Sequence, residues 1–275
     1  MTTTITRTYP QGVPSWVDTG QRDPLAAQEF YGALFGWTFT TVSPAGAPVY
    51  AIAALDGRDV AGLGQAGDGP PAWNTYVAVD DAEAMAGRLT AAGAEVTDLG
   101  QEGPFGRSVN LRDPTGVPFR LWQAGQHPGA QIVNEPGSWN FSDLHTDEPG
   151  SIAFYADAFA WSVEDLGFAT MIRQPGYGDH LEATVDPTIR ERQAEVGAPP
   201  EFLDAIAWVA ALEPRMAPHW HVSFSVTDRD AAAERVESLG GEVLATNESQ
   251  WTRTALIRDP QGAAFTASQF TPPER

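Results

Sequence analysis

An internal repeat divides this sequence of 275 residues into two related halves. Five blocks recur in the same order along the chain, which rules out coincidence as an explanation. The matched blocks are Ser15-Trp16 with Ser138-Trp139, Phe30 to Trp37 with Phe154 to Trp161, Trp73 to Asp81 with Trp220 to Asp228, Arg112 to Gly116 with Arg258 to Gly262, and Phe119 with Phe265. We therefore expect two domains of one fold joined in tandem.

Each half divides again into two units that begin with a strand and a helix. In the first unit, a helix is predicted to begin near Asp23-Pro24, because Asp caps helices and Pro suits the first helical position. In the second, residues 74–79 alternate as a strand, Asp81 begins a helix and Gly93 ends it. Asp113-Pro114 and its counterpart Asp259-Pro260 are predicted to form turns before the last strand of each half.

The boundary between the halves is a stretch rich in Gly and Pro at residues 125–137, which predicts a linker between domains at 1–124 and 138–275. The second half also carries an insertion at about 174–197. Its first part, 174–180, predicts a loop, and Asp186-Pro187 predicts the start of a short charged helix. Two interpretations of the insertion stay open, a surface elaboration or a lid over the second binding site.

These blocks resemble the vicinal oxygen chelate superfamily, which includes glyoxalases, bleomycin-resistance proteins and extradiol dioxygenases. The resemblance lies in residues 23–37, 73–81 and 112–123 and their repeats, and it covers nearly the whole chain apart from the insertion. It implies an α+β fold of four βαβββ units, which form two tandem domains with curved, cup-shaped mixed sheets. The tandem branch that it resembles includes glyoxalase-like and antibiotic-resistance proteins.

Composition excludes several chemistries. The chain has no Cys and no Lys, so thiolate ligands, thiol nucleophiles and lysine Schiff bases are all absent. A formal charge of −20 disfavours nucleic acid and anionic membranes as partners. Residues 1–10 lack the apolar region of a signal peptide, so we expect a cytoplasmic protein, either a monomer of paired halves or a homodimer, whose partner is a small molecule.

The resemblance implies metal ligands on the first and last strands of each unit, facing the cup. The positions of this sequence that match are Trp16, Asn74 and Arg120 in the first half, and Asn140, His221 and Thr266 in the second. Only His221 is a good ligand for a divalent ion, and a catalytic metal needs about three protein ligands. We therefore predict no metal and no other cofactor, and metal-dependent glyoxalase or dioxygenase chemistry is the least favoured function.

Strand alternation predicts which other side chains face each cup. Tyr76 and Trp122 join the first set, and Ser223 joins the second, as ligand-binding residues. Trp73 and Trp220 are predicted to pack in the core. His145 lies on the strand predicted to neighbour that of His221, but sequence fixes no distance between them.

The predicted function is metal-independent binding of a small, partly aromatic molecule, in the sequestration or handling of an antibiotic or secondary metabolite. The alternative is a lyase, isomerase or hydrolase that uses acid–base chemistry. Its candidate catalytic residues are His221 with His180, Glu182 and Asp204 of the insertion region. A regulatory protein without catalysis is a third possibility.

Overall fold

The computed structural model describes residues 6–67, 69–100, 102–167, 169–195, 200–212 and 216–272. The chain has the predicted α+β fold, built from four βαβββ modules. Module one contains β1 Pro14–Gln21, α1 Pro24–Phe35, β2 Thr38–Thr41, β3 Tyr50–Leu55 and β4 Arg58–Gln65. Module two contains β5 Ala72–Ala78, α2 Ala82–Ala91, β6 Glu95–Asp98, β7 Glu102–Gly103, β8 Gly106–Arg112 and β9 Pro118–Ala124.

The second half repeats this order and adds helical structure. Module three contains β10 Trp139–His145, α3 Pro149–Phe159, β11 Ser162–Asp165, β12 Thr170–Arg173, α4 Tyr177–Thr184, α5 Ile189–Glu195, a 3-10 helix Pro200–Asp204 and β13 Ala205–Ala210. Module four contains β14 His219–Ser225, α6 Arg229–Ser238, β15 Glu242–Glu248, β16 Thr252–Arg258 and β17 Ala264–Phe270.

The chain forms two compact units, and each draws on both halves of the sequence. The middle unit holds modules two and three and comprises Met1–Ser15, Thr75–Gly129 and Ser142–Trp220. The terminal unit holds modules one and four and comprises Trp16–Asn74, Ala130–Phe141 and His221–Arg275. The sequence halves 1–124 and 138–275, and the linker predicted between them at 125–137, stay predictions.

In the middle unit, the strands run in the orders β5-β9-β8-β6 and β11-β12-β13-β10, with β7 paired to β8. Helices α2 and α3 cover one face of these strands, and their apolar residues form a single buried cluster. Its members include Leu89, Leu111, Phe119, Leu144, Phe154, Tyr155, Trp161 and Trp220. Trp220 packs edge-on to Tyr155 at 5.3 Å between ring centroids, so its predicted place in the core is confirmed.

In the terminal unit, the strands run in the orders β2-β3-β4-β1 and β14-β17-β16-β15, covered by α1 and α6. The core is aromatic: Phe35 contacts Phe224 and Phe265 with ring centroids at 5.0 and 5.9 Å. Trp73, as predicted, is in this core and donates from Nε1 to the Tyr31 hydroxyl at 3.1 Å.

The helix boundaries follow local sequence signals. Asp23 accepts hydrogen bonds from the backbone N–H groups of Leu25 and Ala26, and Pro24 starts α1 as predicted. Asp81 caps α2 in the same way, by accepting from Ala84 N. Gly36 ends α1 with a φ of 77°, a left-handed conformation that favours glycine.

The insertion differs from its prediction. The segment predicted as a loop is partly helical, since α4 begins at Tyr177, and the second helix begins at Ile189, after Asp186-Pro187. Tyr177 and Leu181 are both 7% exposed and belong to the buried cluster of the middle unit. Helix α4 is therefore part of the core, which corrects the lid interpretation for this segment. Residues 196 and 197, the end of the predicted insertion, lie outside the described residues.

Candidate functional site

The predicted first-half residues Tyr76, Arg120 and Trp122 lie side by side on β5 and β9. These strands are parallel, with Tyr76 opposite Arg120 and Ala78 opposite Trp122. Val77 belongs to the helix-covered core, so alternation places all three side chains on the opposite face. We call the face away from the helices the open face, and these three residues the aromatic–arginine cluster.

The three side chains of the aromatic–arginine cluster lie close to one another. Arg120 Nη1 donates to the Tyr76 hydroxyl, and its Cζ atom lies 5.1 Å from the centroid of the Tyr76 ring. The Trp122 ring stands edge-on to Tyr76 at 6.2 Å and donates from Nε1 to the backbone oxygen of His127 at 2.9 Å. Two oriented aromatic rings beside a permanently charged guanidinium suit a flat, electron-rich or anionic organic ligand.

Trp16 and Asn74 belong to a hydrogen-bonded network in the terminal unit. Asp18, 4% exposed, accepts from Asn74 Nδ2 at 2.8 Å and from the Tyr50 hydroxyl at 3.2 Å. Trp16 Nε1 donates to the same hydroxyl at 3.2 Å. The Tyr50 hydroxyl fits here because residue 62 is a glycine: a Cβ atom at Gly62 would lie 2.2 Å from the hydroxyl oxygen. Sequence reasoning missed Asp18 and Tyr50, although Asp18 shares the strand face of Trp16.

The structure brings together three of the predicted second-half residues. His221 is 4% exposed, and its Nε2 atom lies 2.8 Å from Thr266 Oγ1. Ser223 on β14 is paired directly with Thr266 on β17. These side chains form a compact polar patch in the terminal unit.

Strand β10 carries Asn140, a predicted ligand-binding residue. On this strand Ser142 and Leu144 are fully buried, and Leu144 lies in the core. Asn140 precedes them on the strand and belongs to the terminal unit, and its role in binding a ligand stays a prediction. The open face of β10 in the middle unit carries Asp143 and His145.

His180, Glu182 and Asp204 each contact a backbone atom or an arginine. His180 Nε2 lies 3.0 Å from the backbone oxygen of Thr8, and Glu182 accepts from Arg190 Nε at 2.8 Å. Asp204 accepts from Gly178 N at 2.7 Å and thereby holds the first turn of α4. These contacts connect the insertion to Thr8, Arg190 and Gly178, and the catalytic role of the three residues stays a prediction.

The residues at the family's ligand positions do not fit a catalytic metal. Within the described parts of the chain, no three His, Asp or Glu side chains come together as a metal site. Asn74 uses its amide nitrogen to bind Asp18, and the Arg120 guanidinium would repel a cation. A catalytic divalent ion normally needs about three protein ligands, which the described residues of neither unit offer.

We therefore expect the purified protein to contain far less than one transition-metal ion per chain. The physical reason is that the donor set is too small to hold an ion against dialysis. Elemental analysis by inductively coupled plasma mass spectrometry checks this, with and without prior treatment with EDTA. About one Zn, Fe, Mn or Ni per chain would contradict the expectation.

The fold agrees with the match of this chain to a protein family. The glyoxalase-like domain family matches residues 16–122 and again residues 142–268. The chain belongs to this family, as a tandem member of the vicinal oxygen chelate superfamily. None of the described helices is both long enough and apolar enough to cross a bilayer.

Two relatives match this chain over nearly their whole length. It is 35% identical over 280 residues to CFP32 of Mycobacterium tuberculosis, provisionally named a glyoxylase, with 96% of this chain and 97% of the relative covered. It is 34% identical over 288 residues to the anthracycline biosynthesis protein DnrV of Streptomyces peucetius, with 97% and 96% covered.

Solved structures of low sequence identity share the fold. The Mn(II)-bound glyoxalase of Novosphingobium aromaticivorans has a TM-score of 0.61 at 16% identity, over 94% of this chain and 82% of that one. The 2,3-dioxygenase LapB of Pseudomonas sp. KL28 has a TM-score of 0.59 at 14% identity, over 94% and 93%. At such identities the likeness concerns the fold alone.

Proposed function

We propose that the protein binds a small, partly aromatic organic molecule without a metal ion, and that the aromatic–arginine cluster is its binding surface. The observation that carries this proposal is the position of Arg120. Its guanidinium lies over the Tyr76 ring, at a position where the family resemblance implies a metal ligand. It offers a fixed positive charge to a ligand, and Trp122 offers an aromatic edge next to it.

The chemical class of the ligand is supported by the relatives. DnrV is named for the biosynthesis of anthracyclines, which are polycyclic aromatic compounds. A protein that handles or sequesters such a secondary metabolite in the cytoplasm, as a monomer or homodimer, needs aromatic contacts and one or two polar anchors rather than a metal. The cluster supplies both kinds of contact.

The test uses anthraquinone-2-carboxylate, a flat aromatic anion, with affinity measured by isothermal titration calorimetry. We expect Arg120→Gln and Trp122→Ala each to weaken binding about tenfold or more, since an ion pair or a ring contact is worth at least about 1.4 kcal/mol in such a site. Matched controls are Arg112→Gln, whose guanidinium contacts Gly116 O, and Trp251→Ala in the terminal unit. Unchanged affinity in folded Arg120 and Trp122 variants would overturn the proposal.

Acid–base catalysis by a lyase, isomerase or hydrolase is a second candidate. It is supported by His221, a buried histidine whose Nε2 atom contacts Thr266 Oγ1 at 2.8 Å. A bell-shaped pH–rate profile that His221→Ala abolishes would favour this candidate. Saturable binding without turnover would favour the first.

A further inference from the structure

Strand β10 presents two titratable side chains on the open face of the middle unit. Leu144, fully buried, points into the helix-covered core, so its neighbours Asp143 and His145 point the other way. Residues two apart on a strand have backbone positions about 7 Å apart, and their side chains stand on the same face. The Asp143 carboxyl and the His145 imidazole therefore lie side by side on one face of the strand. Their spacing allows one ligand with a fused ring system to contact both.

A second imidazole lies beside the first. The rings of His145 and His219 are 4.9 Å apart between centroids and inclined by 38°. His219 Nδ1 is 2.9 Å from the backbone oxygen of Ala217. A carbonyl oxygen only accepts hydrogen bonds, so Nδ1 of His219 carries a proton and is the donor in this contact.

Strand β13 adds an aromatic wall and fixes the carboxyl. Its residue Val209 packs against the core, so alternation turns Trp208 to the open face, where Phe202 lies 6.2 Å away between ring centroids. The backbone N–H of Trp208 donates to Asp143 Oδ1 at 3.0 Å. The Asp143 carboxyl is thus held in one orientation next to an aromatic surface.

The environment sets the protonation of both groups. Burial raises the pKa of Asp143 to about 7. Burial, together with the neighbouring His219, lowers the pKa of His145 to about 4. On β11 and β12, which follow β13 on the side of the sheet away from β10, Glu164 and Arg173 form an ion pair at 2.8 Å. Near pH 6, Asp143 and His145 are a neutral proton donor and a neutral proton acceptor.

We propose that Asp143, His145 and Trp208 form a second binding site, for an uncharged aromatic molecule that has a ketone at one end and a hydroxyl at the other. The carboxylic acid of Asp143 donates to the ketone oxygen, the hydroxyl donates to the imidazole of His145, and the ring packs against Trp208. A buried carboxylic acid that remains protonated is an effective hydrogen-bond donor to a carbonyl. This site is independent of the aromatic–arginine cluster, whose fixed cation favours an electron-rich or anionic ligand.

The probe for this site is 6-hydroxy-2-tetralone, a rigid bicyclic hydroxyketone whose phenol stays neutral well above pH 8. We expect the full-length protein to bind it at pH 6 and to lose at least about tenfold in affinity at pH 8.5, because Asp143 is then ionised and no longer donates. The 6-methoxy analogue, which cannot donate to His145, should bind about tenfold more weakly at pH 6.

Variants separate the contributions of the two side chains. Asp143→Asn keeps a donor that does not titrate, so it should bind the probe equally at both pH values. His145→Leu should weaken binding of the probe about tenfold at both pH values, whereas His180→Leu, at a half-buried histidine of α4 that contacts Thr8, should have no effect. Arg120→Gln should also leave this probe unaffected while weakening the anthraquinone carboxylate.

Three results would overturn the second site. They are no binding of the tetralone at pH 6, equal affinity of the wild-type protein at pH 6 and 8.5, or equal affinity for the hydroxy and methoxy compounds. Each is measured on the unmodified protein, so none depends on whether a variant folds. Loss of anthraquinone binding alone would leave this site supported and overturn only the proposed function.

Discussion

Replacement of Asp259 by alanine is expected to lower the free energy of unfolding by about 3 to 5 kcal/mol, because several buried donors lose their acceptor at once. Asp259 is 4% exposed, and its Oδ2 atom accepts from Gln21 Nε2 at 2.7 Å and from the Tyr31 hydroxyl at 2.8 Å. Its Oδ1 atom accepts from the backbone N–H groups of residues 261–263. Burial and the nearby Asp259 carboxylate raise the pKa of Tyr31, so its phenol stays protonated as a donor.

Urea denaturation followed by circular dichroism measures this effect, and Asp228→Ala is the matched control. Asp228 caps α6 by accepting from the N–H groups of Asp230 and Ala231 at the surface. Loss of such a cap costs about 1 kcal/mol. If the two substitutions cost the same, the buried network around Asp259 does not contribute as inferred.

The second large effect is a pair of opposite pH dependences in the middle unit. Asp143 has a folded-state pKa of about 7, above its ordinary value of 3.8, so it favours the folded state when protonated. Its contribution to stability falls as the pH rises from about 4 to 7, by up to about 4 kcal/mol. His145 has a folded-state pKa of about 4, below its ordinary 6.5, so its contribution rises by about 3 kcal/mol between pH 4 and 6.5.

In the wild-type protein these two dependences largely offset each other, and each variant exposes one of them. Relative to wild type, Asp143→Asn should become more stable as the pH rises from 4 to 7. His145→Leu should become less stable, relative to wild type, from pH 4 to 6.5. Denaturation curves at several pH values check both signs, and differences from wild type that do not change with pH would show that neither group is buried as described.

The sequence predicted much of the fold because its signals are local and repeated. The cap at Asp23-Pro24 and the alternation of residues 74–79 each determined an element and its orientation without tertiary information. Alternation also gave the correct face for Tyr76. On strands with a clear alternation of apolar residues, the sequence therefore predicted which side chains lie on the open face.

On β10 the hydrophobic pattern was ambiguous, so the sequence did not determine which side chains face the core. Apolar Trp139 and Phe141 have one orientation while apolar Leu144 has the other, so no face is consistently hydrophobic. The register had to come from burial of Ser142 and Leu144 in the folded chain. Asp143 was missed for this reason.

The insertion was mispredicted because of its glycines. Gly176 and Gly178 flank Tyr177 and suggest a turn, whereas Tyr177 and Leu181, one helical turn apart, were the signal for a buried helix face. The carboxylate that holds this turn comes from Asp204, far along the chain. Contacts at such separation are not visible in a single sequence.

The composition of the terminal unit has a consequence for how the protein is made. Tyr31 and Phe35 lie in module one, yet their ring partner Phe265 lies in module four and is synthesised only after modules two and three. The middle unit ends at Trp220, so its described strands precede most of module four in the chain, whereas the core of the terminal unit needs module four. Until module four is synthesised, the aromatic side of α1 lacks its ring partners. A chain that terminates before β17 would therefore expose an aggregation-prone apolar surface, to which chaperones bind.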